Sequence, residues 1–181
     1  MRQMLLALVA TIVLFGTGAT DGPVALPPVS PEDVERLRAR DLAVPVLGVE
    51  RGALQDSFDD ARGLRRHEGL DIVAAAWTPV VAVDDGTIAQ LFVSVAGGIT
   101  IYQFDPTKTY VYYYAHLDRW AEGLRQGQPV ERGDVIGYVG RSGNAGDTAH
   151  LHFAIFKLDP EKKWWHGSPL NPYRVFHGEG Q

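Results

Sequence analysis

Apolar positions along this 181-residue chain fall into three regimes. Residues 4–15 are an almost unbroken apolar run, and residues 20–31 are rich in Pro, Gly and small side chains. Ser30 is a good helix N-cap, Pro31 suits the first helical position, and Glu32 and Asp33 favour the first turn. These signals predict a short helix through about Arg40, charged on most faces and expected on the surface. From Val44 onward the pattern shortens to strand-like segments. Residues 44–49 are short and apolar, and residues 78–83 and 86–95 are rich in β-branched side chains, with the hairpin signal Asp84-Asp85-Gly86 between them. Residues 99–104 and 109–116 repeat this pattern around an Asp105-Pro106-Thr107-Lys108 loop, and residues 119–125 suit one helical turn. Further strands are predicted over 128–130, 135–139 and 150–158, punctuated by glycines. Many short strands with frequent turn signals predict a mainly β protein built on an antiparallel sheet, sandwich or barrel.

Composition narrows the picture. The length suits one domain, or two small ones. A formal net charge of -5 argues against nucleic-acid binding, which needs a basic face. The chain has no cysteine, so disulfides, thiolate metal sites, cysteine nucleophiles and lipid attachment through cysteine are excluded. Any metal must be held by His, Asp or Glu. Arg2, the apolar run and the small residues Gly16 to Ala19 resemble a secretory signal, and the run is shorter than the roughly 20 residues a spanning helix needs. A cleaved signal peptide is favoured over a retained membrane anchor. The expected organisation is signal or anchor over 1–19, linker and helix over 20–43, one β domain over 44–176, and a tail over 177–181.

Four of the six histidines occupy informative places. In His67-Glu68-Gly69-Leu70-Asp71, the His and Asp can converge on one cation if the chain turns at Gly69. In His150-Leu151-His152, a strand would send both imidazoles to the same face. His116 ends the aromatic strand Tyr112-Tyr113-Tyr114. A catalytic zinc takes three nitrogen or oxygen ligands plus a water. A His, Asp, His set satisfies that and leaves His116 and one of the 150/152 pair for proton transfer, which suits metal-assisted hydrolysis.

These segments resemble the lysostaphin/LytM-type zinc endopeptidases. His67-Glu68-Gly69-Leu70-Asp71 is similar to their H-x-G-x-D box, and Tyr114-Ala115-His116-Leu117 to their Y-A-H-L segment. Gly127 to Val130 and Gly133 to Gly140 resemble their glycine-rich run, His150-Leu151-His152-Phe153 their H-L-H-F box, and Asn171-Pro172 a common C-terminal pair. The resemblance covers about residues 57–173. It implies a compact LytM-type domain (a duplicated hybrid motif) with a narrow groove. It also implies zinc on His67, Asp71 and His152, with His116 and His150 as the catalytic pair. All five are present, unlike in the family's degenerate, non-hydrolytic regulators. Arg62 falls near the Arg of an F-G-x-R segment, although Asp59-Asp60-Ala61 departs from that pattern; it is a weak candidate for substrate contact. Tyr114 is the tyrosine expected to line the groove. Two departures bear on groove shape and substrate preference: Trp77 stands where the family has a turn glycine, and Phe104-Asp105-Pro106 replaces a His-Gly pair.

The expected function is zinc-dependent hydrolysis of peptide cross-links in bacterial peptidoglycan by an exported protein of the periplasm or cell envelope. The alternative is a non-catalytic LytM-type module that binds the wall or activates an amidase. Stem peptides and cross-bridges are the expected partners. Membrane anchoring by the N-terminal segment, or a regulatory protein, would supply localisation. The bond cut and the division of labour between His116 and His150 stay open at this level. The cluster Trp164-Trp165-His166 is expected to pack on the domain edge rather than stack on sugars, and His177 to lie in the tail.

Overall fold

The computed structural model describes residues 25–178; the N-terminal signal or anchor expected over 1–19 and the last residues of the tail lie outside them. The chain begins with α1 (Pro31–Arg38) and ends with α2 (Pro172–His177). Between them lie β1 (Ala61–Arg62), β2 (Arg65–Arg66), β3 (Leu70–Val73), β4 (Pro79–Val81), β5 (Gly86–Ser94), β6 (Gly98–Phe104), β7 (Tyr110–Trp120), β8 (Pro129–Val130), β9 (Val135–Val139), β10 (His150–Leu158) and β11 (Gly167–Leu170). No helix among the described residues is long and apolar enough to cross a membrane.

β1 and β2 form a separate hairpin, and the other nine strands form one antiparallel sheet with the path β11-β10-β7-β6-β5-β8. β10 is the hinge of this arrangement. One edge pairs with β7; the other pairs with β3 along its first half and β11 along its second. β9 joins the sheet through β4 and the last residues of β7. The mainly β, antiparallel expectation agrees with this architecture.

Alternation explains the core. Leu151, Phe153 and Ile155 of β10 and Tyr110, Tyr112 and Tyr114 of β7 are fully buried. At about 25 cal/mol per Å² of apolar surface, aromatic rings of this size are major contributors to stability. Polar groups inside are partnered: Arg40 bridges Asp84 and Asp105 at 2.9 Å each, and the Tyr112 hydroxyl donates to Asp84 at 2.8 Å. Among the described residues no buried side-chain polar atom lacks a hydrogen-bond partner.

Several local expectations change. α1 does not lie free on the surface: Asp33, Val34 and Leu37 form a buried stripe, and the helix packs against α2. Asp33 is the anchor. It accepts from the Tyr110 hydroxyl at 2.7 Å, from Lys157 Nζ at 2.9 Å and from the Ser30 backbone N–H at 2.9 Å. The apolar segment 44–49 makes only a single bridge, Val46 to Val80, because Pro45 has no N–H to extend a ladder. Instead of a helical turn at 119–125, β7 continues through Trp120 before turning. β1, β2, β3, β11 and α2 are two to six residues long, too short to show a period in the sequence. The Asn171-Pro172 pair is a helix start: Asn171 Oδ1 accepts from the Tyr173 N–H at 2.8 Å and Pro172 opens α2.

Candidate metal and catalytic site

β10 brings the site together by register. His152 sits directly opposite Asp71 of β3 on one side and Ala115 of β7 on the other. His67 precedes β3 and reaches the same point from the loop, aided by Glu68, whose φ is 61°. His67 Nε2 lies 2.8 Å from Asp71 Oδ1 and 2.8 Å from His152 Nδ1, and His152 Nδ1 lies 3.2 Å from Asp71 Oδ1. These three donor atoms form the described residues' cluster of metal-ligating type.

Gly69 does not supply the turn expected of it; the positive φ falls on Glu68. It supplies space. A Cβ at position 69 would stand 2.6 Å from His152 Cε1, 2.8 Å from its Nε2 and 2.9 Å from the Phe153 carbonyl oxygen. The box tolerates no side chain there because the His152 imidazole occupies that volume.

His116 reaches the site through a break in alternation. Four β7 residues, Tyr114 to Leu117, stand opposite three β6 residues, Ile99 to Ile101, so β7 carries one extra residue. His116 takes φ 62° in this bulge. Unbroken alternation would send it to the face of Tyr112 and Tyr114; the bulge returns it to the groove. Its ring lies 4.9 Å from His150 and 6.0 Å from His152. His150 Nε2 is 3.7 Å from Asp71 Oδ1.

Backbone carbonyls set the ring tautomers. His67 Nδ1–H donates to Ser57 O, His116 Nδ1–H to Ser142 O and His150 Nδ1–H to Thr148 O, each at 2.9 Å. A carbonyl only accepts, so each Nδ1 carries the proton and each neutral ring keeps its lone pair on Nε2. These carbonyls orient the imidazoles. Burial pushes the His116 pKa down, helped by the neighbouring His150 and His152, and burial also lowers that of His152. Both shifts favour the neutral imidazole. Burial alone would raise the Asp71 carboxyl. The His152 and His67 contacts outweigh it and hold the group well below the ordinary carboxylate range.

The groove around these residues has a volume of about 520 Å³ and is lined by Arg62, Tyr113, Ala115 and Asn144 as well as the five site residues. Tyr114 does not line it. Its ring is fully buried, and its hydroxyl donates to Gln103 Oε1 at 2.7 Å and accepts from the Val83 N–H at 3.1 Å. Tyr113 takes the groove position because its parity matches Ala115. Arg62 is at the groove but paired, its guanidinium donating to Asp71 Oδ2 at 2.7 Å. Trp77 keeps the turn conformation with φ 70° and, like Phe104-Asp105-Pro106, stands away from the groove lining. Trp164 packs on Phe92 and Tyr102 at the domain edge, while Trp165 is exposed. His177 closes α2, stacked on Tyr173.

An antiparallel β domain that collects a His, Asp, His set and two more imidazoles in one groove defines the class as a metallopeptidase-type fold. The chain belongs to Peptidase family M23, whose profile matches residues 65–172. It is 38% identical over 119 residues to the L-Ala--D-Glu endopeptidase of Bacillus subtilis, an alignment spanning 61% of this chain and 36% of that protein. It is 31% identical over 90 residues to the peptidoglycan DD-endopeptidase ShyC of Vibrio cholerae, covering 50% of this chain and 20% of the relative. The chain thus spans well under half the length of these relatives. The fold also matches the antimicrobial peptidase lysostaphin from Staphylococcus simulans, with a TM-score of 0.57 at 22% identity over 71% of this chain and 51% of that one.

Proposed function

We propose that this chain is a zinc-dependent endopeptidase that hydrolyses peptide cross-links of bacterial peptidoglycan. One observation carries the proposal: His67, Asp71 and His152 aim three donor atoms at one point, and His116 and His150 face the same point. The donor set fits zinc. Two imidazole lone pairs and a carboxylate oxygen within about 3 Å repel one another unless a cation or proton is shared between them. Two nitrogens and one oxygen also leave the open position that zinc hydrolases use. A zinc ion there supplies a Lewis acid that polarises a peptide carbonyl and brings the pKa of a water to about 7.

The chain's own residues do the rest. Asp71 adds the negative charge of the ligand set, and Arg62 hydrogen-bonds its second oxygen and fixes the carboxylate. His116 and His150, both with Nε2 lone pairs facing the groove, divide the proton work. One takes the proton of the attacking water. That imidazole, now carrying an Nε2–H, donates a hydrogen bond to the carbonyl oxygen as it gains charge and then passes the proton to the leaving amine nitrogen, while the other's Nε2 lone pair accepts from the water's remaining O–H. The non-catalytic alternative requires none of this pairing and is not favoured. The names of the Bacillus and Vibrio relatives support peptidoglycan as the substrate, and the apolar N-terminal run supports export to the periplasm or cell envelope. Anchoring or a regulatory partner would then concentrate the domain at the wall.

The test is metal analysis of the purified protein together with mass spectrometry of muropeptides released from purified peptidoglycan. One equivalent of zinc and new peptide termini are expected. Zinc without any cleaved bond would overturn the enzyme proposal.

A further inference from the structure

One wall of the groove carries charge that hydrolysis does not use. β1 and β2 form a tight hairpin whose sequence is Arg62-Gly63-Leu64-Arg65-Arg66. Gly63, with φ 66°, sits at the first turn position, where the primed two-residue turns require positive φ. The hairpin runs straight into His67, so its arginines are held at a set distance from the candidate metal site. Arg62, Arg65 and Arg66 all line the groove. Ala96, Gly97, Asn144 and Ala145, which also line the groove, carry no charge.

The three arginines are not equivalent. Arg62 pairs with Asp71 at 2.7 Å and Arg66 with Asp59 at 2.7 Å. The Arg65 side chain has no ion-pair or hydrogen-bond partner among the described residues. The register sets Arg65 directly across from Arg62, and like charges in that position destabilise a hairpin unless an anion compensates them. Asp71 compensates Arg62. Glu68 also lines this wall, but its carboxylate makes no ion pair with the hairpin. A free, exposed guanidinium beside the cleavage point presents a fork that matches a carboxylate bidentately. The chain as a whole carries -5, so its long-range field opposes an acidic peptide and a local basic rim is needed to hold one.

We infer that Arg65 is a specificity-determining residue that binds a free carboxylate of the peptide in the groove and so orients the chain, acidic group toward the hairpin, before cleavage. This rests on the endopeptidase proposal for its biological meaning but not for its measurement. The probes are two stem-type peptides, L-Ala-γ-D-Glu-L-Lys-D-Ala, identical except that the Glu α-carboxylate is free in one and amidated in the other. Affinity is read by calorimetric titration, and kcat/KM is read alongside it. The wild type should prefer the free acid by about tenfold, equivalent to about 1.4 kcal/mol. Arg65→Gln should bring the acid-to-amide ratio close to one while leaving the amide peptide, the zinc content and Tm unchanged. Arg65→Lys should keep part of the preference, since a point charge replaces the fork. Equal binding of both peptides by the wild type, or an undiminished ratio in Arg65→Gln, would overturn the inference. Loss of zinc in Arg65→Gln would overturn it too, by making Arg65 a support of the metal ligands. If the wild type prefers the acid but cuts neither peptide nor peptidoglycan, the carboxylate site stands and the endopeptidase proposal fails.

Discussion

Gly69→Ala tests whether the glycine of the His67–Asp71 box is there for room rather than for bending. The new methyl would lie 2.6 Å from His152 Cε1 and 2.9 Å from the Phe153 carbonyl oxygen. Comfortable carbon contacts are about 3.5–4.0 Å, so the imidazole or the backbone must retreat by about 1 Å. The backbone is poorly placed to move, because Phe153 pairs with Leu70 on one side and Tyr114 on the other. The displacement therefore falls on the His152 ring. Metal–ligand distances tolerate about 0.2 Å, so a shift of this size removes His152 from the set. Zinc affinity should fall by about 100-fold or more, roughly 2.7 kcal/mol. Overpacking should also cost the metal-free protein about 1–3 kcal/mol, lowering Tm by about 2–4 °C per kcal/mol. Chelator competition reads the first effect and thermal unfolding of the metal-free protein the second. A variant with zinc affinity within threefold of wild type would refute the packing account of this glycine.

Three further outcomes are expected. His116→Asn should fold with stability within about 1 kcal/mol of wild type, since Asn tolerates the positive φ of the bulge, and should keep its zinc while kcat/KM drops about 10²–10⁴-fold; loss of zinc would reassign His116 as a ligand. Tyr114→Phe should cost about 1–3 kcal/mol in urea unfolding, because it strands Gln103 and the Val83 N–H, yet leave zinc binding and turnover unchanged; a selective fall in turnover would contradict its core placement. Asp33→Asn tests the anchor of α1. Burial would raise the Asp33 carboxyl, but Lys157, the Ser30 N–H and Tyr110 outweigh it and bring its pKa from 3.8 down to about 2. A carboxyl depressed on folding stabilises above its unfolded pKa and loses that contribution as pH falls through the folded value. The variant's deficit should be about 2 kcal/mol and constant above about pH 4, then shrink toward pH 2. A deficit that does not change with pH would show that the charge is not what holds the helix.

Much of the site was legible in the residues alone. Ligand chemistry is local: His67 with Asp71, and His150 with His152, are each encoded within five positions, and strand alternation sends both imidazoles of β10 to one face. The absence of cysteine already restricted a metal to His, Asp or Glu, and the strand and turn signals already implied an antiparallel β protein. Pairing across distant strands was a matter for the tertiary structure. Only the register of β10 against β3 sets His152 beside Asp71, 81 positions away in sequence. Only the extra residue in β7 brings His116 to the groove, while Tyr114, the tyrosine expected there, is buried in the core. The carbonyls of Ser57, Ser142 and Thr148 that set the tautomers belong to no side-chain motif, since every residue type carries one. The physical reason is range. Residue chemistry and strand period act over a few positions, whereas register, bulges and close packing come from contacts made only after the sheet has assembled.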